Sequence, residues 1–360
     1  WSDRLQAWVA VAEFTTGRGK SRSGRARRAL RAAAAAALAT GALLQATPLA
    51  IAAPLPTGGQ VAAGSASLSQ SGSTLTVQQA SQRLVTNWDS FSIAPGSTVR
   101  FQQPGASSVA LNRVLGAEVS NIQGSLQANG QVFLLNPNGV LFSPTARVDT
   151  GGLVASTLAL SDADFLAGRY RLNGASTARV ENQGVIHAPG GSVALVAARV
   201  INEGQITANR GHVALASGQD VTLDLGGPVR LQIDRGALDG LVANGGAIRA
   251  DGGTVLLTAK AADALASSVI NQHGVIRAQT LATGERGEIV LLGDMAHGTL
   301  NAGGTLDASA PTGGRGGFIE TSAAYVEQQA GLTVRAGARD GQGGQWLIDP
   351  YDYTIGATAA

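Results

Sequence analysis

The chain has 360 residues, among them 49 Gly, 11 Pro and no Cys, with 44% hydrophobic, 14% charged and only 4% aromatic residues. The missing Cys excludes a disulfide scaffold, the apolar share excludes an intrinsically disordered chain, and the scarcity of large rings argues for many thin layers over one thick core. The net charge of +2 hides a split: residues 1 to 31 carry eight Arg or Lys against two acids, and the remainder eighteen against twenty-two. A mildly acidic body without Arg and Lys clustered among aromatics excludes a nucleic-acid surface.

In chain order, the first element is a leader. After Arg31 comes an uncharged Ala- and Leu-rich stretch, Ala32 to Ala53, closing on Ala50-Ile51-Ala52-Ala53-Pro54. A basic n-region, an apolar h-region and small residues at the end make a signal peptide over residues 1–53, with the cut expected after Ala52 or Ala53. It engages the general secretory machinery and signal peptidase. The Ala-rich content and Pro48 argue against a spanning helix. Gly19-Lys20-Ser21 lacks the earlier Gly of a phosphate-binding loop, since Phe14 stands there. Arg27-Arg28 lies among Ala and Leu and carries no twin-arginine signal. The stretch Trp1 to Phe14 resembles the extended signal peptide of large Gram-negative surface proteins, and its lack of Met places the start of the chain inside that region.

Residues 54–160 follow, holding Trp88, Phe91, Phe101, Phe133 and Phe142. A stack of coils needs an end that covers its core and strand edges, so Pro54 to about Ser90 is expected to form an N-terminal cap leading into the first coils. Farther on, Gln131 to Leu135 reads as a buried strand and Asn136-Pro137-Asn138-Gly139 as a turn. Pro137 fixes φ there, and Gly139 admits a left-handed position before Val140 to Phe142 resume the strand.

Residues 161–360 are repetitive. Val180-Glu-Asn182-Gln-Gly184-Val-Ile186-His-Ala188 returns 20 residues later as Val200-Ile-Asn202-Glu-Gly204-Gln-Ile206-Thr-Ala208, and a third copy, Val242 to Ala250, lies 42 residues further, about two periods. Looser copies follow near Val269 and Leu300. Short alternation broken by Asn-Gly or Gly-Gly gives strands and tight turns, with no room for helices. The fold class expected is all-β, a right-handed parallel β-helix with an N-terminal β cap. Strands ~4.8 Å apart in roughly 15 coils would make a rod near 70 Å long. Asn182, Asn202, Asn244 and Asn271 are expected at equivalent turns, bonding up the stack.

Residues 54–160 resemble the secretion domain of two-partner secretion exoproteins, the filamentous haemagglutinin and high-molecular-weight adhesin group. The resemblance rests on Asn87-Trp88-Asp-Ser-Phe91, Val109-Ala-Leu-Asn112-Arg113-Val114, Gly124-Ser-Leu-Gln-Ala-Asn129-Gly130 and Asn136-Pro137-Asn138-Gly139-Val140. The group's Asn-Pro-Asn-Leu turn is absent, and Leu111-Asn112-Arg113-Val114 suits the adhesin branch; Trp346 to Ile355 also resembles a segment of such adhesins. The resemblance implies a periplasmic partner, the POTRA repeats of an outer-membrane β-barrel transporter, and folding outside the cell, with the product secreted or held at the surface. It implies transporter recognition or a folding nucleus for Asn112, Arg113, Asn129, Asn136, Pro137, Asn138 and Gly139. Host glycans or receptors would be met through further C-terminal regions, because the chain is read as the front of a longer protein. The absence of Cys fits a chain that must not lock before crossing a pore.

A carbohydrate-active β-helix enzyme, or a haemolysin or contact-dependent toxin carrier, are the alternatives. Asp220, Asp224, Asp234 and Asp239 with Arg230 and Arg235 are the densest charges, but they flank Gly226-Gly227-Pro228 where the repeat lapses, as a solvated loop or projecting hairpin would. His187, His212, His273 and His297 have no metal-ligand spacing, and the Gly-rich runs lack the calcium-binding nonapeptide. No catalytic residue, cofactor or metal is expected.

Overall fold

The computed structural model describes residues 55–225, 230–282 and 284–351. The expected leader and its cut, the Gly226-Gly227-Pro228 turn and the end of the Trp346 to Ile355 segment lie outside the described residues.

The body is a parallel β-helix with three faces. Face A has eleven strands, from Gln60–Ala63 and Arg83–Trp88 to Gln345–Pro350; face B has eight, from Ser120–Ile122 to Tyr325–Gln328; face C has eleven, from Ala66–Ser71 to Thr333–Arg335. One coil runs through Arg179–Asn182 on face B, Val185–His187 on face C and Ser192–Ala197 on face A. Equivalent residues stack like on like. Val180 pairs with Val200, then Val242, Ile270 and Leu300; Ile186 pairs with Ile206, Ile248, Ile276 and Leu306. These aliphatic columns are buried and form one continuous interior. Each fully buried side chain contributes about 1.5–3 kcal/mol, which is how small layers supply what large rings do elsewhere.

Glycine sets the corners. At Gly211 a Cβ would sit 1.8 Å from the carbonyl oxygen of Gly191 in the preceding coil, and at Gly253 equally close to that of Gly211, so backbone packs on backbone there. At the N-terminal end, Gln60–Ala63 runs antiparallel to Arg83–Trp88, and Ala66–Ser71 antiparallel to Thr74–Gln79. Trp88 and Phe91 meet edge to face, centroids 5.4 Å apart, in the interior beneath this cap.

Four expectations need correction. Faces A and C hold eleven strands, not fifteen coils, so ten spacings of ~4.8 Å give about 50 Å. The 20-residue coil is the shortest, since later strands of face A begin at Thr254, Glu288, Phe318 and Gln345. The copy 42 residues on is one coil away: Val200 pairs directly with Val242, and the surplus residues form an inserted hairpin, Asp220–Asp224 with Arg230–Arg235. In the Asn column, the residue after Asn244 is Gln272 and not Asn271. Asn182 Nδ2 donates to Asn202 Oδ1 (2.8 Å), Asn202 to Asn244 (2.7 Å) and Asn244 to Gln272 Oε1 (2.8 Å), all four fully buried at the ends of their strands. Asn271 faces the other way and accepts from Asn301 Nδ2.

The hairpin does not project. With Tyr170–Asn173, from an earlier insertion, it forms a three-stranded antiparallel sheet that lies flat on the outside of face A. Beneath it is a second core, in which Phe133, Phe165, Tyr170, Leu172, Val221 and Leu223 pack over Leu111, Leu135 and Ala214. Phe133 stands 5.8 Å from Phe165 and 5.0 Å from Tyr170, ring to ring. The run Phe133-Leu134-Leu135 is apolar throughout because Leu134 points into the helix while its neighbours point under the outer layer.

Candidate functional site

The seven residues singled out by sequence fall into three places. Asn112 is in the strand Val109–Val114, fully buried inside the helix. Its Oδ1 accepts from the indole Nε1 of Trp88 at 3.0 Å, and its Nδ2 donates to the carbonyls of Ala110 and Phe133, both at 3.3 Å. A buried amide with these partners fixes the register of the first coils. Arg113, next in the strand, points outward. It donates to Asn87 Oδ1 (3.2 Å) and the Leu160 carbonyl (2.8 Å), and it pairs with Asp162 at 2.5 Å. Asp162 opens the short helix Asp162–Leu166, capped by Ser161, whose hydroxyl accepts from Asp164 N. Arg113 therefore fastens the outer layer to the first coils.

Asn129 is at the corner between faces C and A. Its side chain takes both backbone groups of Gln103, accepting from N and donating to O, each at 2.8 Å, as a strand neighbour would. Gly130 behind it has no room for a side chain, since a Cβ would lie 2.6 Å from the Ser108 carbonyl.

The turn at residues 136–139 joins three coils. Asn136 is fully buried. Its Nδ2 donates to the Glu118 carbonyl (2.8 Å) and Ser120 Oγ (2.9 Å), and its Oδ1 accepts from Asn138 N (2.9 Å) and Asn138 Nδ2 (3.0 Å). Gly139 N closes the turn on the Asn136 carbonyl at 3.0 Å, and Asn136 N reaches Ser156 O in the following coil at 2.9 Å. Asn138 Nδ2 donates to the Gly116 carbonyl at 2.8 Å. Pro137 is exposed and its carbonyl accepts from Ser176 Oγ at 2.6 Å. Gly139 has φ +119°, which a residue with a Cβ rarely adopts. Both atoms of the Asn136 amide and the Nδ2 of Asn138 are thus occupied within the chain.

The sequence did not single out Arg83, which does the matching work at the other edge of the outer layer. Its guanidinium lies 5.7 Å from the ring centres of Phe165 and Tyr170 and donates to Phe165 O and Tyr170 Oη. No repeat or turn signal marks it, because its partners lie more than 80 residues away. The acids of the hairpin are engaged structurally: Arg171 grips Asp220 through two bonds and holds its carboxyl below the usual carboxylate range, and Asp234 accepts from Thr222 and Gln232.

Comparison with known proteins agrees with this geometry. The TPS secretion domain family matches residues 52–308, and the extended signal peptide of the type V secretion system matches residues 1–42. Two Haemophilus influenzae proteins, each named heme/hemopexin-binding protein, are 45% identical to the chain, one over 103 residues (29% of this chain) and one over 83 (23%). Those stretches amount to 11% and 9% of the relatives' own lengths. The HMW1 secretion domain from Haemophilus influenzae superimposes with a TM-score of 0.73 at 28% identity, covering 81% of this chain and 76% of that one. The coil stack, its capped end and a match over residues 52–308 together place the chain in the TPS (two-partner secretion) secretion domain family, behind an extended signal peptide that sends it across the inner membrane and periplasm to the cell surface or beyond.

Proposed function

We propose that residues 54–160 carry the export address, read by the POTRA repeats of a dedicated outer-membrane transporter, and that Asn112, Asn129, Asn136, Asn138 and Gly139 serve it by holding the first coils together. The observation that carries this reading is that both atoms of the Asn136 amide and the Asn138 Nδ2 are engaged within the chain, by Glu118 O, Ser120 Oγ and Gly116 O in the preceding coil and by each other across the turn. An amide already spent inside the fold adds little to a partner. Arg113 holds the outer layer through Asp162, and Pro137 presents an exposed ring.

Export and folding are coupled in this reading. Coils touch mainly their neighbours, so the stack grows from the capped end as chain emerges and biases passage outward. An extended segment of the chain pairing with a POTRA sheet edge supplies the contact mode. The leader is removed after Ala52 or Ala53, which N-terminal sequencing of the secreted product checks. Comparing secretion and folding of Asn138→Ala tests the assignment: a variant that is lost from the medium and unfolds more easily supports a structural role, whereas one that folds like wild type yet is not exported makes Asn138 a contact residue. Undiminished export of variants that unfold the rod would end the coupling argument.

For the exoprotein as a whole we propose a surface adhesin that meets host glycans or receptors outside the residues described. A second reading, capture of haem or haemopexin, is favoured by the 45% identity to relatives carrying that name. Binding assays with haem, haemopexin and host-cell glycans on the secreted product separate the two.

A further inference from the structure

The two insertions that build the outer layer leave the coil stack at one corner. Ser156, Val196 and Ala216 stand in register on face A, and Arg179, Arg199 and Leu241 on face B. The turn between these faces takes residues 197–198 in one coil, and its place is held by residues 157–178 in the coil before and 217–240 in the coil after. Neither insertion is needed to complete a coil. Both run back over face A and meet there: Tyr170–Asn173 pairs with Asp220–Asp224, and Arg171 holds Asp220 through hydrogen bonds of 2.9 and 2.7 Å. The layer is tied down at both ends. Arg83 donates to the Phe165 carbonyl and Tyr170 Oη, and Lys260 Nζ donates to the Ile233 carbonyl at 3.2 Å.

What the layer covers spans many coils. The second core takes Val85, Leu111, Phe133, Val154, Val196 and Ala216, one from each of six successive strands of face A. In a bare stack each coil touches its neighbours and can come off singly from an end. A layer whose apolar core is shared by six coils removes that route, because losing any one of them uncovers the rest of the cluster.

We propose that the outer layer is a clasp: it joins these six coils into a block that opens only as a whole, so that the exported front cannot unwind back toward the transporter coil by coil. This rests on the reading that the stack forms outside the cell as chain emerges, and it adds the step that holds the front there. The strand Asp220–Asp224 follows directly on His212–Ser217, the sixth of the covered strands, so the clasp is completed only once all six are present.

The chain has no Cys, so a single introduced thiol reports alone. Ala110 and Ala208 are fully buried in the interior, near opposite ends of the block. In the mature chain under native conditions, Ala110→Cys and Ala208→Cys are expected to react with a thiol reagent at rates within about twofold of each other, each taken relative to its unfolded rate, since both wait for the same opening. Deleting residues 219–240 joins Gly218 to Leu241 with the spacing of Ala198 and Arg199. In that background both thiols should react at least about tenfold faster and at unequal rates, and Val221→Ala with Leu223→Ala should move both the same way by a smaller factor. Secretion of the deletion variant through the cognate transporter should fall about tenfold, as a front that frays coil by coil requires. Unequal rates in the wild-type background, wild-type rates after the deletion, or loss of coil structure after it overturn the clasp, and undiminished secretion of the deletion variant overturns its part in export. Protection of Ala110→Cys in otherwise wild-type chain still in the periplasm would instead remove the reading beneath it.

Discussion

Replacing Asn136 by Ala separates a structural turn from a contact surface most directly. The side chain makes four hydrogen bonds, two as donor to Glu118 O and Ser120 Oγ and two as acceptor from Asn138. Their losses are unequal. Ser120 is fully buried, so its hydroxyl loses a partner that water does not replace, at about 1–3 kcal/mol. Glu118 is exposed and its carbonyl is rehydrated, while the two bonds that preorganise the turn are worth about 1 kcal/mol together. The total is about 3 kcal/mol. Pro137→Ala, by contrast, leaves every one of these bonds in place and costs at most about 1 kcal/mol through unfolded-state entropy. Urea unfolding of the mature chain measures both, and amide exchange over residues 116–142 shows whether the loss is local, as nearest-neighbour contacts in a coil stack demand. An Asn136→Ala protein less than about 1 kcal/mol weaker than wild type, yet not exported, would refute the reasoning and move Asn136 into direct contact with the transporter.

Other expectations follow from the stack. Asn202→Ala leaves the buried Asn182 amide and Asn244 carbonyl oxygen facing a gap and should cost about 2–4 kcal/mol in denaturant titrations, more than Asn182→Ala at the end of the column. Arg210 is the single non-glycine residue with positive φ among those described, at +58°, and its equivalents Gly190 and Gly252 have +71° and +72°; Arg210→Gly should therefore raise stability by about 0.5–1 kcal/mol in the same titration. Burial works to raise the Asp251 carboxyl, but hydrogen bonds from Arg277, Arg249 and Gln279 N outweigh it and hold the group below the usual range. A depressed folded-state value gives stability that is present above the ordinary carboxylate range and lost as pH falls through the folded value. Melting curves between pH 6 and 3 should show a steeper acid loss for wild type than for Asp251→Asn. His212 adds an earlier limb of the same sign. Burial favours its neutral form, so stability falls as pH drops below the ordinary imidazole value, and His212→Gln should remove that limb from the same curves.

Sequence alone determined the coil architecture, because a parallel stack puts equivalent residues on top of one another and so writes its contacts as a repeat. Val180, Val200 and Val242 share one column, and the turn at residues 136–139 was legible from Pro137 and Gly139. Tertiary structure decided what does not repeat. Asn271 and Gln272 look interchangeable in a list of residues, yet only Gln272 points inward, since neighbours on a strand face opposite sides. The outer layer pairs Tyr170–Asn173 with Asp220–Asp224 antiparallel across some 50 residues, and Arg83 and Arg113 bind it from up to 87 residues away. Such pairings leave no periodic trace, and the unbroken apolar run at Phe133 signals burial on both sides without naming what covers the second. Only the folded chain brings Leu115, Leu158 and Ala175 to one groove, because each lies just past the end of a strand and those strands are joined through coils and insertions whose lengths the repeat does not predict.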